Sequence, residues 1–434
     1  MKRAFAVFFI LIILISCVPT VSPHDTAPAS EPTEAYTTPS AAPSTEPPTE
    51  PPTEPPTEPP TEPPTEPPTE PPTEPPTEPP TDPPTEPPTE PPTEPPTESP
   101  TLAEQIFESM TLEEKVGQLF LARCPQKDAA EHADAYHLGG YILFGQDFYE
   151  KTYQEVCHNI SSYQSNARIP MLIAVDEEGG IVCRVSDQPQ FRENPFPSPR
   201  RLYEAGGLDL ILSTEQEKIS LLQSFGINVN VAPVCDVTMD PDAFMYSRSL
   251  GQSPEITGQF IAATVALMKD NKFGGILKHF PGYGNNTDTH VAIAIDNRSL
   301  EELKSSDLVP FAAGIEAGAQ AILISHTFVN CLDTEYPASL SPLVIGYLRN
   351  EMGFEGVVVT DDLVMKAIKD LYGAGESAVL AVLAGNDLLI SSEYEIQYNA
   401  VLDAVQTGRI PMEMLDRAVL RILMWKDELG LLQS

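Results

Sequence analysis

GVVVTDD, residues 356–362, sets three valines between a glycine and a threonine and then closes on two carboxylates. A β-branched run without polar alternation reads as a strand buried on both faces. Such a strand needs helices packed on either side, and the polar pair marks where it leaves the core. Seven further segments share the form: VGQLFLA (116–122), GGYILFG (139–145), PMLIAVD (170–176), INVNVAPV (227–234), GGILKHF (274–280), AILISHT (321–327) and NDLLISS (386–392). Helix-like stretches lie between them, among them 253–271, 299–317, 342–351, 375–384 and 395–406. Eight strands alternating with helices predict parallel βαβ units closed into a single (β/α)8 TIM-like barrel over residues 102–434. An open doubly wound sheet is the rival, but no GxGxxG follows an early strand.

The first quarter of the 434-residue chain reads differently. Residues 1–16, MKRAFAVFFILIILIS, pair a basic start with an apolar run, and Cys17 follows at once. The run is a secretory signal in form, too short and wrongly flanked for a membrane span. LIS-C resembles the lipobox of bacterial lipoproteins, which implies acylation of Cys17 and anchoring to the outer face of the bacterial cell membrane. An ordinary secretion signal is the alternative. Residues 18–101 are expected to be a disordered linker, because between Pro47 and Glu98 the chain repeats PPTE thirteen times, with one variant at Asp82. Nothing in that repeat can repay the entropy of ordering. Paired prolines favour polyproline II, and at about 3.1 Å per residue the repeat reaches roughly 160 Å when extended. Such a spacer would hold the barrel well clear of a membrane touched only through its lipid; a ligand for proline-binding modules is the other reading.

The formal net charge is −38, and thirteen of those charges belong to the repeat. The remaining acidity argues against nucleic acid or anionic polymers as partners. Six cysteines, Cys17, Cys124, Cys157, Cys183, Cys235 and Cys331, fall at irregular spacing without a CxxC or Cys/His pattern. Neither a disulfide framework nor a structural metal is indicated.

In a barrel of this kind chemistry collects where strands end and βα loops begin. Asp176 and Glu177 close the third predicted strand, Lys278 and His279 end the fifth, His326 the sixth, and Asp361 and Asp362 the seventh. The fifth runs on into KHFPGYGNNTDTH (278–290), a loop too rich in Gly, Pro and Asn for a helix or strand, which nonetheless carries two imidazoles, an ammonium and a carboxylate.

VDEEGG, RSLG, KHFPGYG…DTH and GVVVTDD, in that order and spacing, resemble glycoside hydrolase family 3, and within it the bacterial β-N-acetylhexosaminidase branch. The resemblance extends over essentially all of 102–434. It implies a retaining glycosidase that needs no cofactor or metal. Asp361 then matches the nucleophile, and Asp362 is its neighbour. Asp288 and His290 match an acid/base dyad, in which the carboxylate sets the tautomer of an imidazole able to donate and reclaim a proton near neutral pH. Asp176, Arg184, Arg248, Lys278 and His279 match sugar-binding positions. The chain departs from the family in carrying Tyr283 where His is usual, and in a Lys278-to-Asp288 segment one residue shorter; the first is expected to alter sugar contacts or loop packing.

The expected activity is exo-acting removal of terminal N-acetylglucosamine from cell-wall fragments or chitin oligomers. Rivals are a β-N-acetylglucosaminide phosphorylase using the same dyad and a family β-glucosidase, which usually draws its acid/base carboxylate from a second domain. A surface sugar-binding lipoprotein without catalysis is the reading from another class, and intact Asp361, Asp288 and His290 speak against it.

Overall fold

The computed structural model describes residues 100–284, 286, 289 and 293–432. Cys17, the PPTE repeat, Asp288 and His290 lie outside the described residues. Among the described residues there are ten strands: β1 Phe120–Arg123, β2 Gly140–Leu143, β3 Leu172–Val175, β4 Val229–Asn230, β5 Gly274–Phe280, β6 Ile295–Asp296, β7 Ala321–Ile324, β8 Phe328–Val329, β9 Val357–Thr360 and β10 Leu389–Ser391. Eight form one parallel sheet in the order β10-β1-β2-β3-β4-β5-β7-β9. Its two ends meet again through a parallel bridge between Val359 and Leu388, reinforced by Thr360 N–H donating to the Leu388 carbonyl at 3.0 Å. The predicted eight-stranded barrel is therefore present and nearly closed. β6 and β8 form a separate parallel pair.

Alternation within the strands assigns the two faces. Leu121, Ile142, Leu172, Ala174, Val229, Ile276, Ala321, Leu323, Val357, Val359 and Ile390 fill the interior as one cluster. Their neighbours in sequence, such as Phe120, Ile173 and Leu389, pack outward against the helices. Ile422, Trp425 and Leu429, from the last helix Met412–Glu428 and the residue after it, join the interior cluster. Trp425 Nε1 donates to Gln320, just before β7, which places this helix under the N-terminal mouth of the barrel. The opposite mouth is left for the site.

Local signals place most helix starts. Thr101/Glu104, Thr111/Glu114, Thr152/Glu155 and Ser299/Glu302 form reciprocal capping boxes. Ser198, Ser253 and Ser341 cap helices whose first residue is proline. One of these boxes corrects the predicted first strand: 116–118 belong to the helix Leu112–Gln118 started by Thr111, and β1 begins only at Phe120. The predicted helix 299–317 is two, Leu300–Ser305 and Leu308–Glu316, because Ser306 leaves helical geometry and Asp307 turns its carboxylate inward to Arg298. In 227–234 the continuous strand is Val229–Asn230, and Val234 adds an isolated parallel bridge to Lys278.

Lys426 is fully buried on the last helix, with its ammonium on Gln118 Oε1 at 2.7 Å and no carboxylate paired with it among the described residues. Burial pushes its pKa down to about 7. The unfolded chain therefore binds one more proton between about pH 7 and 10, and this site's contribution to stability falls as pH drops across that window. Lys426→Met is expected to stabilise the barrel by about 2–4 kcal/mol at pH 6, with the gain vanishing above about pH 10. Thermal unfolding of both proteins across that range checks it.

Candidate functional site

A cavity of about 600 Å³ opens at the C-terminal mouth. Ile142, Val231, Leu323 and Ile390 line it as members or neighbours of the barrel's interior cluster, and they form an apolar floor. Arg123, Phe144, Asp176, Glu178, Arg184, Arg248, Lys278, His279, Asp361, Asp362 and Ser392 also line it. Six of the eight residues singled out in the sequence thus converge on one space; the other two, Asp288 and His290, lie outside the described residues.

A continuous polar network runs around one arc. Lys278 Nζ donates to Asp176 Oδ1 at 2.7 Å and contacts Glu178 Oε1 at 2.6 Å. Glu178 in turn accepts two parallel bonds from Arg248, Nε at 2.9 Å and Nη2 at 2.7 Å. The same Nη2 approaches His279 Nε2 at 3.1 Å, and His279 Nδ1 lies 2.8 Å from Asp236 Oδ2. A guanidinium can only donate, so His279 Nε2 accepts and its proton sits on Nδ1, facing Asp236. Asp236 also accepts from the backbone of His279 at 3.2 Å and of Tyr283 at 2.7 Å, tying down the turn at the root of the 278–290 loop.

The network sets the charges. Burial would raise the Glu178 carboxyl, yet Lys278 and Arg248 together hold it well below the usual range. Asp236 likewise is favoured neutral by burial and pulled down by His279 and the Tyr283 N–H. Burial works against the Lys278 ammonium, and Asp176 and Glu178 more than compensate. Both His279 nitrogens are engaged within the network, and the residue lines the cavity beside Arg248 and Lys278.

Across the cavity, Asp361 follows β9 and its Oδ1 accepts from Asp362 N–H at 2.8 Å. Asp362 is bound by Ser392 through hydroxyl and backbone and by Val364 N–H. Its carboxyl is raised by burial, with the neighbouring Asp361 charge acting in the same direction against the Ser392 bonds. His326, given no role from sequence, is fully buried; Nδ1 pairs with Ser339 Oγ at 2.7 Å and Nε2 donates to the Asp362 carbonyl at 3.0 Å. It buttresses the Asp361–Asp362 turn from below. Arg184 has a buried Nε with no hydrogen-bond partner among the described residues, beside Phe144.

Glu177 is a different case: it accepts from the backbones of Arg184 and Val185 at 2.8 Å each and from Ser186, folding the 177–186 loop that carries Arg184. Glu178 and Asp236 were not singled out as site residues, although the pattern was available. Each comes within three residues of an apolar strand segment, LIAV (172–175) for Glu178 and VAPV (231–234) for Asp236, as Asp361 follows VVVT. Glu178→Gln keeps the shape and removes the anion between two buried cations. It is expected to lower kcat/KM about 10²-fold, mostly through KM, and kinetics on an aryl glycoside test this.

Charged donors and acceptors facing a strand-end carboxylate, over an apolar floor at the C-terminal mouth of a (β/α)8 barrel, suit a ligand rich in hydroxyls. The family model described as Glycosyl hydrolase family 3 N terminal domain matches residues 111–425. The chain belongs to glycoside hydrolase family 3, and its substrate is a carbohydrate. It is 35% identical over 315 residues to the Beta-hexosaminidase of Stenotrophomonas maltophilia (strain R551-3), covering 70% of this chain and 88% of that one. It is 29% identical over 310 residues to Beta-hexosaminidase LpqI of Mycobacterium tuberculosis, covering 69% and 78%. Solved M. tuberculosis LpqI matches the fold with a TM-score of 0.68 at 28% identity, over 75% of this chain and 96% of that one. A family 3 β-N-acetylglucosaminidase from Paenibacillus sp. str. FPU-7 matches with a TM-score of 0.69 at 34% identity. That match covers 75% of this chain and 64% of that one, so the chain spans just under two thirds of that relative.

Proposed function

We propose that the protein is an exo-acting, retaining β-N-acetylglucosaminidase that removes terminal N-acetylglucosamine from cell-wall fragments or chitin oligomers. The observation that carries this is the floored cavity with Asp361 on one side and the Asp176–Lys278–Glu178–Arg248 network on the other. Relatives named as hexosaminidase and β-N-acetylglucosaminidase support the choice of sugar.

In this reading Asp176, Arg184, Arg248, Lys278 and His279 hold the hydroxyls of the terminal sugar. An Asp361 oxygen attacks the anomeric carbon, the glycosidic C–O bond breaks, and the leaving oxygen takes its proton from His290. Water then attacks the glycosyl ester, His290 takes back a proton, and Asp361 is released. Asp288 sets the imidazole's tautomer. An imidazole that is neutral after donation adds no second anion beside Asp361. The same feature would admit phosphate in place of water, so phosphorolysis is the second reading.

The test is release of nitrophenol from paired N-acetylglucosaminide and glucoside substrates, with and without phosphate. Preference for the first, unaffected by phosphate, is expected; dependence on phosphate would move the assignment to a phosphorylase. We also propose export and lipid anchoring through Cys17, which predicts that Cys17→Ala releases the protein from the membrane fraction.

A further inference from the structure

We propose that Tyr283 is a positioning residue for the acid/base dyad, acting through a buried hydrogen bond to Thr289. This rests on the assignment of Asp288 and His290 above. Tyr283 is 1% exposed, and its hydroxyl lies 2.5 Å from Thr289 Oγ1, itself fully buried. Thr289 is the residue between Asp288 and His290 in the chain. Consecutive Cα atoms are about 3.8 Å apart, so holding Thr289 restrains both of its neighbours at once.

Tyr283 is well fixed for this. Its N–H donates to Asp236 Oδ1 at 2.7 Å, and its carbonyl accepts from Asn286 N–H at 3.1 Å and Nδ2 at 3.0 Å. Its ring stands edge-on to His279 at 5.1 Å and to Phe244 at 5.6 Å, and packs with Val234 and Met245. The ring also lines the cavity with Asp361, whose charge adds to burial in pushing the phenol's pKa up. The hydroxyl therefore stays protonated, available as a hydrogen-bonding group and not as an acid. Tyr283 links the Arg248–His279–Asp236 network at one end to the residue between the dyad's two members at the other.

The experiment measures kcat/KM for Tyr283→Phe, Thr289→Val and the double variant on N-acetylglucosaminides of graded leaving-group ability, beside His290→Ala and Thr289→Ser, with melting temperatures for all. Tyr283→Phe removes one oxygen from a packed ring and Thr289→Val preserves volume. Each is expected to lose about 10- to 30-fold on poor leaving groups and little on activated ones, with the double variant no worse than either single. Thr289→Ser should retain near-native rates. Equal loss across all leaving groups, additive losses, or no loss would overturn the proposal. If His290→Ala is sensitive to the leaving group and Tyr283→Phe is not, this inference alone fails; if His290→Ala is also insensitive, the dyad assignment fails and takes this inference with it.

Discussion

Asp361→Asn is expected to lower kcat by about 10⁴-fold or more on every β-glycoside while leaving the melting temperature within a few degrees. The amide oxygen of Asn can still accept the Asp362 N–H that Asp361 Oδ1 accepts at 2.8 Å, so the turn after β9 keeps its bond. An amide cannot form the glycosyl ester. The other carboxylates at the cavity are committed elsewhere: Asp176 and Glu178 to Lys278 and Arg248, Asp362 to Ser392 and backbone. None is placed to substitute. Asp361→Ala should be as inactive and somewhat less stable, because the Asp362 N–H then loses its acceptor. Appreciable turnover by either variant would contradict the assignment.

His290→Ala is expected to slow poor leaving groups by about 10³-fold and activated aryl groups far less, since only the former need a proton as the bond breaks. Hydrolysis of the glycosyl ester suffers as well, because the same imidazole must then deprotonate water. With an activated substrate the first step outruns the second, and the ester should accumulate on Asp361. Asp288→Asn should give a milder version, as it removes the charge that orients the imidazole and keeps the ring. A leaving-group series for both variants checks the pair. Uniform slowing would make His290 a binding residue.

The barrel was legible because buried parallel strands cannot alternate: VVV in 356–362 and LIAV in 170–176 leave no polar face, and the helices between them supply the cover. Boundaries were less legible where a local device competes with the apolar pattern. The Thr111–Glu114 box draws 112–118 into a helix although Val116 is apolar. Asp176, Arg248, Lys278 and Asp361 could be read because each stands in a motif at a strand end or on the loop beyond it. Glu178 and Asp236 also come after apolar strand segments, but what they hold lies far along the chain, Arg248 and Lys278 for Glu178 and His279 and Tyr283 for Asp236, and only the fold brings these together. His279 stands in the KHFPG motif as well, but its partners Arg248 and Asp236 lie 31 and 43 residues away and emerge only in the fold.

The most direct test of the central claim is mass analysis of His290→Ala quenched during turnover of 2,4-dinitrophenyl N-acetyl-β-glucosaminide. The account predicts an N-acetylhexosaminyl adduct that builds up within the first turnovers, maps to the peptide containing Asp361, and is absent from the His290→Ala/Asp361→Asn double variant. Full turnover with no adduct, or an adduct carried on a residue other than Asp361, would contradict it.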